Sequence, residues 1–123
     1  MIFGLDTETD NDGTKAWIVQ WSISDGQVSQ HGRDLASLEE ALIHLGHRNS
    51  GKHYVYIHNL KYDLEFIKYA LYNIKLRFDG TINAIIRKGS PVSITLIFGK
   101  KTIVFRDSAK KWQGDLKSMG TLS

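Results

Sequence analysis

The sequence predicts one α/β (α+β) domain, a mixed β-sheet flanked by helices. Three observations predict it. The first third alternates apolar and β-branched runs with turn residues. Two later stretches, near residues 37–45 and 62–76, carry apolar residues at helical spacing. Further strand-like runs follow the second of these. A chain of 123 residues holds one modest core, so residues 1–123 are read as a single domain.

The elements follow in order. Ile2 to Leu5 is a buried strand, and Asp10-Asn11-Asp12-Gly13 is a turn. Ala16 to Ser24, β-branched and aromatic, returns antiparallel to it. Asp25-Gly26 makes a second tight turn, and Gln27 to His31 a third strand. Ser37-Leu38-Glu39-Glu40 fits a capping box with Ser37 at the N-cap. Leu38, Leu42 and Leu45 share one face of that helix, and Gly46 suits its C-terminal cap. Tyr54 to Ile57 is a strand. Tyr62 to Leu76 is a helix, apolar nearly all round and so expected to be well buried. Ile82 to Arg87, Val92 to Phe98 and Thr102 to Phe105 are strands, with a hairpin at Gly99-Lys100-Lys101. Lys110 opens a further helix, cut short at Gly120. Three antiparallel strands, a helical crossover and a further strand form the pattern of a ribonuclease H-like fold.

Composition narrows the function. No apolar run reaches about 18 residues, which argues against a membrane span, and no signal peptide is legible at Met1. The absence of cysteine excludes disulfides and thiolate zinc sites and fits a reducing cytoplasm. The net charge of +3 conceals an asymmetry. Residues 1–50 carry 3 Lys/Arg against 8 Asp/Glu, and residues 51–123 carry 13 against 5. Such a split suits a protein that holds a cation in one place and a polyanion in another.

Asp6 and Glu8 lie two apart at the end of an apolar strand. They therefore share one face, where they either face water at a strand end or hold a cation that relieves their mutual repulsion. Oxygen ligands favour Mg²⁺ or Mn²⁺. Glu8-x-Asp10-x-Asp12-Gly13 also imitates the start of a calcium loop, but its twelfth position is Val19, which cannot coordinate. Asp63 falls in the first turn of the second helix. There it either answers the helix dipole or supplies a third carboxylate.

Three stretches, GLDTET, YIHNLKYDLEFI and FRDSAKKW, in this order and spacing, resemble the proofreading 3′–5′ exonuclease domain of protein-primed family B DNA polymerases of small phages. The resemblance implies a ribonuclease H-like exonuclease fold. It implies Asp6, Glu8 and Asp63 as catalytic metal ligands for Mg²⁺ or Mn²⁺, with Zn²⁺ as an alternative. It implies contacts to single-stranded DNA or terminal protein from Thr9, Tyr56, His58, Asn59, Tyr62, Phe66 and Ser108. Ala109 stands where the family has Leu beside that Ser. Aromatic rings suit base stacking, and Lys61, Lys110 and Lys111 suit phosphates.

The family completes its site with a third motif carrying a Tyr and a final Asp, and these 123 residues contain no match to it. Lys117 matches the family's late lysine only loosely. The fold is thus expected to be truncated before the third motif, and the chain to lack a polymerase domain. The expectation is a metal-binding domain, weak or inactive as a nuclease, that acts by binding. One version is a phage inhibitor of host nucleic-acid machinery, of the anti-CRISPR kind. The alternatives are an active divalent-metal-dependent 3′–5′ exonuclease on single-stranded DNA ends and a plain single-stranded DNA-binding module. Expected partners are single-stranded DNA or a nucleic-acid-processing protein of host or phage. The expected location is the cytoplasm, with no membrane involvement.

Overall fold

Side-chain alternation along the strands decides where the helices pack. The computed structural model describes residues 1–14, 16–47 and 50–108. The helix expected from Lys110 onward, with Ala109, Lys110, Lys111 and Lys117, lies outside them.

Strands β1 (Ile2–Asn11), β2 (Ala16–Ser24), β3 (Ser29–Gly32), β4 (Ser50–Ile57), β5 (Thr81–Arg87), β6 (Ser90–Phe98) and β7 (Lys100–Asp107) form one seven-stranded sheet, in the order β3-β2-β1-β4-β7-β6-β5. Strand β4 runs parallel to β1 and to β7, and the other pairings are antiparallel. Helices α1 (Leu35–Ile43) and α2 (Leu60–Phe78) complete a mixed α+β, ribonuclease H-like arrangement. No described helix is long and apolar enough to cross a membrane.

One sheet face presents Phe3, Leu5, Trp21, Ile23, Val55, Ile57, Ile103 and Phe105 to the helices, all of them buried. Leu38 and Leu42 of α1 and Leu60, Ile67, Leu71 and Ile74 of α2 close the core against them. The residues between, Gly4, Asp6, Glu8 and Arg106 among them, point to the opposite face and are exposed.

Several boundaries differ from expectation. Strand β1 runs on through Asp10 and Asn11, which leaves the turn to Asp12 and Gly13 (φ 88°). The N-cap of α1 is Asp34, not Ser37: its carboxylate accepts the Ser37 amide at 2.7 Å, and the Ser37 hydroxyl donates back to the Asp34 carbonyl at 3.0 Å. A carboxylate at the positive end of a helix prevails over a hydroxyl three residues later. His44, not Gly46, caps the end of α1. Gly46 (φ 76°) sits in the short turn that follows, where an added Cβ would lie 2.5 Å from the His53 ring. Helix α2 is not buried all round: Tyr62, Tyr69, Tyr72 and Leu76 form an exposed apolar stripe along it.

Lys101 departs furthest from expectation. Its position in β7 points it into the core, where it is 1% exposed. Its ammonium donates to the carbonyls of Ile43 (2.7 Å) and Leu45 (2.9 Å). The Ile43 carbonyl lies at the end of α1, where the helix dipole is negative, and the Leu45 carbonyl in the short turn that follows. One side chain therefore ties α1 to the sheet. Lys101→Met, which strands two buried acceptors, is expected to destabilise the fold by on the order of 1–3 kcal/mol in urea denaturation. Burial pushes the Lys101 pKa below its ordinary 10.5. The unfolded chain then binds this proton more tightly, so the contribution of Lys101 to stability rises with pH below 10.5. The gap between wild type and variant should widen as pH rises toward 10.5.

Candidate metal and nucleic-acid site

The carboxyl ends of β1, β4 and β7 gather most of the residues singled out above. Asp6 and Glu8 share the exposed sheet face, as their spacing requires. Between Glu8 and Thr9 the pairing of β1 with β2 slips by one residue on β2. Such bulges twist a strand and re-aim its side chains, often beside functional sites.

Thr7 and Thr9 point the other way, toward α2. The Thr9 hydroxyl lies 3.0 Å from the Tyr62 hydroxyl. Asp63 is buried, at 8% exposed. Its pKa is raised above the ordinary 3.8, first by burial, with the nearby Asp6 charge adding to the effect. The Thr7 hydroxyl and His58 pull the other way. Asp63 therefore meets Asp6 around the edge of β1, whereas Glu8 meets Asp6 along the strand. Among the described residues, no three His, Cys, Asp or Glu side chains converge as an ion site. Asp6 is the member common to both pairs.

The start of α2 is fixed by two side chains. The Asn59 amide oxygen accepts the Tyr62 amide at 3.3 Å and caps the helix. Asp107, at the end of β7, accepts the Leu60 amide at 3.1 Å. Asn59, read from the sequence as a single-strand contact, thus also holds its own helix, and its amide nitrogen is left to point outward. His58 is exposed in the turn between β4 and α2. The Tyr62 and Phe66 rings lie 5.3 Å apart, Tyr62 exposed and Phe66 half-buried against the core. Tyr56 lies level with Gly4 of β1 on one side and Arg106 of β7 on the other. Ser108 directly follows Asp107.

Sequence reasoning gave Asp107 no role, although it lies within the FRDSAKKW stretch. It also missed a cleft of about 650 Å³ over β1–β3 in which His31 and Arg33 face Asp6 and Glu8.

No family model matches the chain, and no curated protein matches it. Solved structures do. A Phi29 DNA polymerase complexed with primer-template DNA aligns with a TM-score of 0.68 at 21% identity. The same polymerase with primer-template DNA and incoming nucleotide gives 0.66 at 20%. Its complex with single-stranded DNA gives 0.62 at 20%. Each alignment covers 87% of this chain and 20% of the polymerase, so the chain spans about a fifth of the protein it matches. At this identity the likeness establishes a shared fold.

Two outcomes follow for stability. Ionised Asp63 is disfavoured by its surroundings, so Asp63→Asn is expected to raise the melting temperature in EDTA at pH 7. The gain should vanish well below pH 3.8, where Asp63 is protonated folded or unfolded, grow as pH rises from there toward the folded pKa, and level off above it. Asp107→Ala, which removes the acceptor at the start of α2, should cost about 1–2 kcal/mol by the same melting assay.

Proposed function

We propose that this chain is an exonuclease-like domain that binds a divalent cation at Asp6, with Glu8 and Asp63 contributing, and takes a single-stranded DNA end beside it. The carrying observation is the buried Asp63 held next to Asp6, two carboxylates whose repulsion and burial a cation would offset. The donor set is all oxygen, which fits Mg²⁺ or Mn²⁺. The Phi29 polymerase structures, one with single-stranded DNA, support DNA as the ligand class.

A bound divalent ion supplies Lewis-acid stabilisation to a phosphodiester and activates water. The chain's own residues hold the strand. Tyr62 and Phe66 offer ring faces for stacking, and Thr9 fixes the Tyr62 hydroxyl. The Asn59 amide nitrogen and Lys61 meet phosphates. Binding with slow or no hydrolysis by this chain alone is the second reading. It is favoured because no third metal-ligating side chain stands together with a carboxylate pair among the described residues, and a site short of a cooperating ligand loses most of its rate. An inhibitor of nucleic-acid machinery would be one use of such a domain.

The test uses one preparation and two readouts: melting temperature in EDTA, Mg²⁺, Mn²⁺ and Zn²⁺, and degradation of a labelled single strand in the same buffers. At a hundred times its Kd the metal should add about 2.7 kcal/mol of stability, an increment lost in Asp6→Ala. Single-strand binding should weaken steeply with salt. Degradation lost in Asp6→Ala supports catalysis, and metal stabilisation without degradation supports the binding role. Neither metal stabilisation nor strand binding would refute the proposal.

A further inference from the structure

The cleft over β1–β3 places two kinds of charge opposite each other. Its lining includes Asp6, Glu8, Gln20, Ser22, His31 and Arg33. The strand registers order these residues in two rows. Asp6 lies opposite Ser22, and Ser22 opposite His31. Glu8 lies opposite Gln20. Trp21 pairs with Gly32, the last residue of β3, and Arg33 follows it in the cleft lining. The first row thus runs acid, neutral polar, base, and Arg33 adds a second base just past the end of β3. Neighbouring strands lie about 4.8 Å apart, so the carboxylates and the bases stand roughly 10 Å apart across the cleft floor.

Among the described residues no ion pair spans that gap. The ion pairs among these residues are His44–Glu40, Lys68–Glu65 and Arg77–Glu40, and none uses Asp6, Glu8 or Arg33. Gly32 holds the geometry in place, because a Cβ there would strike the Trp21 ring and the Ser37 hydroxyl. Trp21 is in turn fixed by donating to the Asp34 carbonyl at 2.9 Å.

The ligand that answers both sides carries a cation toward the acids and an anion toward the bases. A lone cation leaves Arg33 unanswered, and a lone carboxylate leaves the acids unanswered. A phosphate bound to a divalent ion satisfies both. Two metal–oxygen bonds of about 2.1 Å each and a charge-assisted hydrogen bond of about 2.8 Å, with the width of the phosphate itself between them, span most of the gap. The guanidinium fork also matches phosphate oxygens in pairs. We propose that Arg33, with His31 beside it, binds the phosphate of a nucleotide whose divalent ion is held by Asp6 and Glu8. This rests on the cation site of the proposed function and adds a phosphate subsite on β3. The phosphate belongs either to a strand end or to a free mononucleotide.

The test is calorimetric, on the whole chain, with Mn²⁺, then dTMP in saturating Mn²⁺, then a thymidine octanucleotide in the same buffer. Arg33→Ala should bind Mn²⁺ and melt as wild type does, and lose about tenfold or more in affinity for dTMP or the octanucleotide. Arg33→Lys should recover part of that loss. A loss confined to the octanucleotide assigns the phosphate to a strand, and a loss with both extends it to free nucleotide. Wild-type affinity of Arg33→Ala for both phosphate probes overturns the subsite and leaves the cation site standing. Failure of wild type to bind Mn²⁺ overturns both.

Discussion

The first turn of α2 is the joint on which the site depends. Asn59 caps it from within, and Asp107 holds its Leu60 amide from the end of β7. Because β7 and β4 run parallel, the end of β7 arrives beside the loop that leads from β4 into α2. The same parallel register sets β1 on the other side of β4. One helix start is thereby fixed against two strand ends, and Asp63 and Tyr62 face β1 as a consequence. Were that turn free to fray, Thr9 would lose Tyr62, and Asp63 would swing away from Asp6 into water.

What the joint holds is electrostatically costly. Asp63 sits in a buried place with a like charge near it and only a hydroxyl and a histidine to moderate the cost. A fold optimised for stability alone would place a neutral residue there. Lys101 offers the contrast. It too is a buried charge, but its partners are carbonyls at the end of α1 and in the short turn that follows, so its burial serves the fold. A buried ion with structural partners and a buried ion awaiting one are different objects, and the second kind marks a functional site.

Much of the fold was legible because its signals are local. Ala16 to Ser24 is a run of β-branched and aromatic residues, and β2 occupies that span. Asp6 and Glu8 share a face because strands alternate. Errors arose where one local signal competed with another or with packing. Asp34 prevailed over Ser37 as a cap because a carboxylate answers a helix start better than a hydroxyl does. Lys101 reads as a hairpin residue until the end of α1 is known to lie against β7. The apolar count of α2 suggested full burial, but its tyrosines fall on the side facing away from the sheet. His31 and Arg33 were invisible as site residues because they meet Asp6 and Glu8 only across two strand registers. The register of β2 with β3 depends on the turn at Asp25-Gly26, whose pairing the residue types alone do not specify.

The central claim is that a divalent ion sits between Asp6 and its carboxylate neighbours at the end of β1. Paramagnetic broadening measures this directly: substoichiometric Mn²⁺ added to isotope-labelled protein, followed by amide resonances. The account predicts that signals of Asp6 to Glu8 and Leu60 to Asp63 fade first, while those around Glu39 and Glu40, adjacent acids on α1, persist. Uniform fading, or loss at Glu39 and Glu40 with Asp6 and Asp63 unchanged, would contradict it.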